Sequence, residues 1–293
     1  MIRRLRCLVL VGGLFVPLAA RSQGLNTTAI DQALGRSGQK AGEVYRVGFP
    51  RTDLHVSVQG VSVKAGLALG SWAAFSGTDE NAAVMGDLVL LDAEVNPVIE
   101  KLRGAGFEIT AVHNHLLGET PHVMYMHYIG RGRAAQIAES LHAALAVSKT
   151  PLEKPAAAAP EPATPPEWVK TVNDTLGRQG TFRGGVLSFG LARSEAITEG
   201  GMTLTSPQGV AESINFQEAG AGKVATTGDF VLTAEEVNPV ISALVEHHVS
   251  ITALHGHLLT EQPRLFFMHF WAADHTPSVA AGIKAALSHI AIK

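Results

Sequence analysis

Apolar and polar residues follow one another along this 293-residue chain in a pattern that predicts an α+β architecture. A strand, a helix, two strands joined by a turn and a final helix are predicted in that order over residues 86–91, 96–106, 107–115, 123–130 and 133–147. Asn96 is the expected N-cap of the first of these helices, with Pro97 at its first position. A short helix near 27–35 and several short strands between 43 and 76 are predicted to precede this block.

The same pattern occurs twice in the chain. Residues 86–128 align without a gap to residues 228–270, with 22 identities in 43 positions, whereas residues 52–85 match their counterparts poorly. The sequence therefore predicts two tandem copies of a mixed-sheet unit, each with a strand–helix–strand crossover, a histidine-bearing hairpin and flanking helices. The expected domains are 23–148 and 168–293.

Two segments are expected to lie outside these domains. Residues 149–167 contain six of the 14 prolines and almost no large apolar residue, so they are predicted to form an extended linker. Residues 1–22 combine early arginines, an apolar run and small residues before Gln23, which is the pattern of a cleaved signal peptide. We therefore expect a secreted or periplasmic protein, and no other stretch is long and apolar enough to predict a membrane span.

Charge and cysteine content exclude several classes of function. Without residues 1–22 the chain has 19 basic and 26 acidic residues, a net charge of −7, so nucleic-acid binding is not expected. The one cysteine, Cys7, lies within the predicted signal peptide, which excludes a disulfide, a thiolate metal site and a thiol nucleophile from the mature chain. The sequence contains no phosphate-binding loop, dinucleotide fingerprint or nucleophile elbow.

The most informative motif is a set of histidines that both copies share. Three histidines and a glutamate recur at the same offsets: His113, His115, Glu119 and His127, and His255, His257, Glu261 and His269. Alternate strand residues project to one side, so His113 and His115 are expected on an apolar face with Phe107, Ile109 and Ala111. If the hairpin closes near 117–121, the histidine of the return strand converges on the first two and the turn delivers the glutamate.

Three imidazoles and a carboxylate form a ligand set for Zn²⁺, with Fe²⁺ and Mn²⁺ as further candidates. We therefore expect a divalent-metal site in each half, with the six histidines as ligands. Glu119 and Glu261 would be fourth ligands, or general bases that act on a bound water. An open site would hydrolyse an envelope or extracellular substrate, whereas a closed site would only bind metal. The spacing also resembles the first metal motif of cupins over seven residues, but the second cupin motif is absent.

Two other interpretations of the histidines stay open at this point: a hydrogen-bonded structural cluster and a metal-free catalytic site. In the alternative class of function, the histidines have a structural role or orient a polar ligand without metal. The protein is then a binding module for a small molecule, an envelope glycan or a peptide. Asp87 and Asp229 are assigned to turns at the start of a strand. Glu94 and Glu236 have no evident local role, so they are secondary site candidates.

The combination of EVNPVI at 94–99 with ITAVHNHLLGETPHVMYMHY at 109–128, repeated in the second half, resembles the LppY/LpqO family of exported bacterial proteins. The resemblance covers both halves and implies a protein of the cell envelope. It implies no reaction, because no activity is established for the family. The cysteine of this chain precedes the apolar run, so the lipid anchor of the lipoprotein members is not expected here.

Overall fold

The computed structural model describes residues 24–153, 164–220 and 222–293, and both halves have the same order of strands. The elements of the first half are α1 (Thr27–Leu34), β1 (Gln39–Ala41), β2 (Val44–Pro50), β3 (Ser57–Val58), β4 (Val61–Ser62), α2 (Ala65–Ala68), β5 (Gly70–Gly77), β6 (Ala82–Leu91), α3 (Asp92–Gly104), β7 (Glu108–His113), β8 (Glu119–Thr120), β9 (Val123–Gly132) and α4 (Ala134–Leu145). Those of the second half are α5 (Glu167–Leu176), β10 (Thr181–Arg183), β11 (Val186–Ala192), β12 (Ile197–Glu199), β13 (Met202–Leu204), a 3₁₀ turn (Ser206–Gln208), β14 (Ala211–Gly220), β15 (Lys223–Leu232), α6 (Ala234–Glu246), β16 (Ser250–His255), β17 (Phe266–His275) and α7 (Thr276–Leu287). The predicted signal peptide and the centre of the predicted linker lie outside the described residues.

Each half contains one six-stranded sheet. The order is β1-β2-β5-β6-β9-β7 in the first half and β10-β11-β14-β15-β17-β16 in the second. Helix α3 connects β6 to β7, which run in the same direction, but β9 lies between them and pairs antiparallel with both. All strand pairings of the described residues are antiparallel, so the predicted mixed sheet is wrong, whereas the α+β class and the two similar halves are confirmed.

The two sheets pack face to face, and helices cover the outer face of each. Along β6, Val84 and Leu88 pack in an apolar core with residues of α1, α3 and α4. Met85 and Val89 point the other way, into apolar clusters that include residues of the second half. The protein therefore has four layers, in the order helix, sheet, sheet, helix, and the halves share a central interface.

Helix α3 begins at Asp92, four residues before the predicted start. The backbone N–H of Leu91 donates a hydrogen bond of 2.9 Å to the carboxylate of Glu94, which satisfies a free donor at the helix start. Asn96 and Pro97 lie inside the helix, so the predicted capping role of the Asn-Pro pair is wrong. Helix α6 starts in the same way.

A fully buried arginine holds each of these helix starts against the sheet. Arg51 lies 2.7 Å from Glu94 and 2.9 Å from Asp53, and it also donates to the backbone carbonyl of Val89. Burial alone would raise the pKa of Glu94, but the hydrogen bonds from Arg51 and the backbone outweigh it and lower that pKa. The second half repeats the network with Arg193, Glu195, Glu236 and the carbonyl of Val231. Glu94 and Glu236 thus have a structural role outside the histidine cluster.

Gly228, at the centre of the second sheet, allows a very close approach of the neighbouring strand. A Cβ atom at this position would lie 1.8 Å from the carbonyl oxygen of Ser213. We expect Gly228→Ala to lower the free energy of unfolding by about 3 kcal/mol, because β14 must move to accommodate the methyl group. Gly190→Ala is the matched control, since nothing lies within 4 Å of a Cβ at Gly190 in the same sheet. Equal stability of the two variants in urea unfolding would contradict this account.

Candidate metal centre

A β-bulge in each hairpin turns the histidines toward the opposite half. In the pairing of β7 with β9, Ile109 lies opposite Tyr128 and Ala111 lies opposite His127, so the register shifts by one residue between them. Phe107 and Ile109 pack with Tyr128 on the helix-covered side. The prediction that these two residues share a face with Ala111 is therefore wrong, because the bulge interrupts the alternation. The second half has the same bulge.

The six predicted histidines lie in one cluster between the two sheets. Three pairs of rings, each joining one half to the other, have centroids 3.7 Å apart: His113 with His255, His115 with His269, and His127 with His257. The 142-residue offset of the repeat converts the pair His115–His269 into the pair His257–His127. The equal centroid distances of these two pairs therefore indicate a pseudo-twofold axis between the halves. The three histidines of each half therefore meet those of the other half in one shared cluster. The sequence could not indicate this, because it does not specify which faces of the two sheets meet.

Contacts around the cluster fix the orientation of the hairpins. The side-chain amide of Asn114 donates to the backbone carbonyl of Thr252 at 3.1 Å, and the Thr252 hydroxyl donates to the carbonyl of His115 at 2.5 Å. Both bonds link one half to the other. The ring of His115 also stacks on Tyr125, with centroids 3.4 Å apart. The histidines therefore sit on backbone that the interface itself holds in place.

One ring nitrogen of every histidine in the cluster lacks a hydrogen-bond partner among the described residues. All six Nε2 atoms are buried without a hydrogen-bond partner among the described residues. The Nδ1 atoms of His113, His255 and His269 lie 3.1–3.3 Å from backbone carbonyl oxygens. A carbonyl oxygen only accepts, so Nδ1–H is the donor and Nε2 carries the lone pair. This is the tautomer in which Nε2 is available to a metal ion.

Electrostatics favour the uncharged form of five imidazoles in the cluster. Burial lowers the pKa of His127 to about 3 and that of His255 to about 4, and neighbouring histidines contribute to both shifts. Burial and the other histidines also lower the pKa values of His113, His115 and His257. A neutral imidazole binds metal, whereas a protonated one does not.

Three sets of four side chains bring their ligand atoms within 4.8 Å of one another. The sets are His113, His255, His257 and His269; His113, His115, His127 and His257; and His115, His257, His269 and Asp229. Each of the first two contains the three histidines predicted for one half, completed by a histidine from the other half. The third set has three imidazoles and a carboxylate, but the carboxylate is Asp229.

Asp87 and Asp229 are functional candidates that the sequence interpretation missed. Both lie within long strands, β6 and β15, rather than at a strand start as predicted. Asp229 lies 2.7 Å from Nδ1 of His269, and Asp87 lies 3.9 Å from Nε2 of His127. Burial and the charge of Asp229 raise the pKa of Asp87. Burial would also raise the pKa of Asp229, but the electrostatic interaction and hydrogen bond with His269 outweigh it and lower that pKa. The sequence signal that could have identified these two residues is an acidic residue at the same position of an apolar strand in both copies.

The two predicted glutamates lie at the turns and belong to none of the three sets. Glu119 is buried and lies 2.6 Å from Nδ1 of His122, and it accepts a bond from the N–H of Val123. Glu261 accepts the equivalent bond from Leu265 and pairs with Arg264 at 3.4 Å. Their described contacts stabilise the turns of the hairpins.

A cavity of about 350 Å³ reaches the cluster from one side. Its lining includes His115 together with Asp87 and Asp229, which places a donor of the third set at its wall. Residues of both halves contribute, because Trp72 and Ser213 flank the two aspartates. We call this space the aspartate cavity.

The protein is a duplicated α+β protein whose two halves enclose one buried histidine cluster. The family described as Domain of Unknown Function (DUF1259) matches residues 28–147 and 170–289, so the chain belongs to this family and carries two copies of its domain. The narrower resemblance to the LppY/LpqO family stays a prediction. No curated protein matches the chain significantly.

Comparison with solved structures gives only distant likenesses. A trimeric bacterial microcompartment shell protein, PduB, is 10% identical over 86% of this chain and 89% of that chain, with a TM-score of 0.21. EtuB from Clostridium kluyveri is 10% identical over 85% and 90%, with a TM-score of 0.19. At such TM-scores the likeness supports no conclusion. No helix in the described part of the chain is long and apolar enough to cross a membrane.

Proposed function

We propose that this protein binds one transition-metal ion per chain at a centre that its two halves form together. The observation that carries the proposal is the set of six buried Nε2 atoms without a hydrogen-bond partner among the described residues. A buried polar atom without a partner costs about 1–3 kcal/mol, so six in one place need an explanation. Coordination to one metal ion would give a partner to the three or four of these atoms that belong to the occupied ligand set.

The number of ions follows from overlap between the ligand sets. His257 belongs to all three sets, and His113 belongs to two. Two four-coordinate ions with separate ligands therefore do not fit at once, which favours one ion per chain. Imidazole-rich sets suit Zn²⁺, Fe²⁺ and Mn²⁺, and a carboxylate offsets part of the ion's charge. We favour Zn²⁺ in the set that contains Asp229.

The aspartate cavity gives the proposed centre an open side. His115 and Asp229 belong both to the third ligand set and to the cavity lining. If a bound ion accepted a fifth ligand on this side, it would lower the pKa of a water bound there and so supply a nucleophile for hydrolysis. Asp87 lines the same cavity, so its carboxylate is available as a proton acceptor for such a reaction. Hydrolysis of a small exported or envelope-derived substrate is the reaction class that this arrangement supports best.

The test is elemental analysis of the untagged full chain, followed by chelation and reconstitution. We expect close to one ion per chain, and a lower melting temperature once the ion is removed, because a ligand that binds only the folded state stabilises it. Glu119→Gln with Glu261→Gln is expected to retain the metal, since neither side chain belongs to a ligand set. A folded, metal-free chain that cannot be reconstituted would contradict the proposal and favour a metal-free binding module.

A further inference from the structure

The aspartate cavity has two chemically different walls. Ser213 pairs with Asp229 and Asn215 pairs with Thr227 in register, so this wall presents hydroxyl, amide and carboxylate groups. On the other wall, the lining contains Arg46 and Trp72. The repeat offset places Ser188 at the position equivalent to Arg46, so the cation occurs on one side of the pseudo-twofold axis alone.

Arg46 is a largely enclosed cation that interacts with Asp87 only at longer range and has no carboxylate within 4.0 Å among the described residues. It donates one hydrogen bond of 2.8 Å to the backbone carbonyl of Pro207, and its guanidinium lies 4.0 Å from the ring centroid of Trp72. It forms no ion pair with any carboxylate of the described residues, whereas the buried Arg51 and Arg193 each pair with two or more carboxylates. Burial lowers the pKa of Arg46 to about 10, which reflects the cost of its charge in this position.

We infer that the aspartate cavity binds a small hydroxylated carboxylate, with the carboxylate on the guanidinium of Arg46 and the hydroxyl groups on the wall of Ser213, Asn215 and Thr227. Arginine pairs with a carboxylate through two parallel hydrogen bonds, which neutral groups cannot reproduce. The cavity volume is about 350 Å³. At roughly 30 Å³ for each water-sized group, this volume has room for about a dozen non-hydrogen atoms. The distal end of such a ligand lies next to His115 and Asp229. Its role as substrate rests on the proposed metal centre, but its binding does not.

The anionic group is assigned to Arg46 and not to the floor of the cavity. The two aspartates there would repel a carboxylate when ionised, but they accept hydrogen bonds from hydroxyl groups. A ligand with an acid at one end and alcohols along its length therefore matches the whole lining. An uncharged ligand would leave Arg46 without an ion pair. The second carboxylate of a dianion would lie near Asp229, which repels it when ionised.

The experiment compares gluconate with sorbitol, which has a similar hydroxylated chain but no carboxylate. Binding is measured by calorimetry on the chelator-treated full chain and again on the metal-loaded chain. We expect gluconate to bind the wild type at least tenfold more tightly than sorbitol in both states. Arg46→Gln should abolish this preference, Arg46→Lys should reduce it several-fold because the forked geometry is lost, and the exposed Arg183→Gln should leave it unchanged.

The outcomes separate this inference from the metal centre. Equal affinities for the two probes, or no gluconate binding at millimolar concentrations, would overturn it. A full gluconate preference in folded Arg46→Gln or in Arg46→Lys would also overturn it, because the contact would then not depend on the guanidinium. If Arg46→Gln fails to fold by circular dichroism, the Arg46→Lys result decides. Preference for gluconate in a chain that never binds metal would support this inference and reject the proposed function.

Discussion

Replacing His257 with alanine is expected to remove the metal from the whole chain rather than from half of it. His257 is the histidine that all three candidate ligand sets share, and its ring lies 3.7 Å from His127 of the other half. Losing one imidazole from a four-ligand centre weakens binding by orders of magnitude, and each of the three candidate sets would keep only three ligands without His257. We expect the metal content to fall from about one ion to less than a tenth of an ion per chain.

The control for this variant is His289→Ala, which removes an exposed histidine outside the cluster. It should leave the metal content unchanged. Loss of half of a two-ion content in His257→Ala would show instead that each half binds its own ion. Circular dichroism of the metal-free wild type and of the variant would establish that the loss does not arise from unfolding.

Arg51→Met is expected to give the largest loss of stability of any substitution outside the cluster. Arg51 is fully buried and pairs with Asp53 and Glu94, and methionine leaves both carboxylates without their cation. Breaking a buried ion pair by removing one partner costs about 3–5 kcal/mol. Urea unfolding should show this decrease, and Arg178→Met, an exposed arginine, should show little change.

The double variant Arg51→Met with Glu94→Gln tests the reason for this loss. It should be more stable than Arg51→Met alone, because an uncharged amide needs no cation. The wild-type contribution should also depend on pH. Burial opposes the charge of Glu94, but Arg51 outweighs burial and lowers the folded-state pKa, so the contribution is present above about pH 4.3 and is lost as the pH falls through the folded-state pKa. If the effects of the two single substitutions on the free energy of unfolding simply add in the double variant, the proposed coupling between Arg51 and Glu94 is contradicted.

Local patterns predicted the parts of the fold that depend on local interactions. Helices α1 and α4 begin within one residue of their predicted starts, because their apolar periodicity is encoded within a few turns. The insertion of β9 between β6 and β7, and the bulge before Ala111, depend on long-range pairing. The start of α3 was missed because the Asn-Pro signal resembled a cap, whereas the buried Arg51 fixes Glu94 as the capping side chain.

The histidines could be predicted as a group, but their arrangement could not. The His-x-His spacing, the histidine of the return strand and their copies were sufficient to select all six members of the cluster. The side chain that completes each set comes from the other half or from Asp229, which is far from the motif in sequence. Glu119 was preferred for its proximity along the chain, yet its carboxylate is occupied by His122 and by the N–H of Val123.

Arg46 and Ser188 occupy equivalent positions on the two sides of the pseudo-twofold axis, so the two halves of this chain differ where a homodimer could not. A homodimer must place the same residue on both sides of its axis, so a cation that suits one wall is imposed on the other. Covalent fusion of two copies removes that constraint. Each wall of the aspartate cavity is then adjusted by independent substitutions, and a symmetric scaffold can select a ligand whose two ends differ.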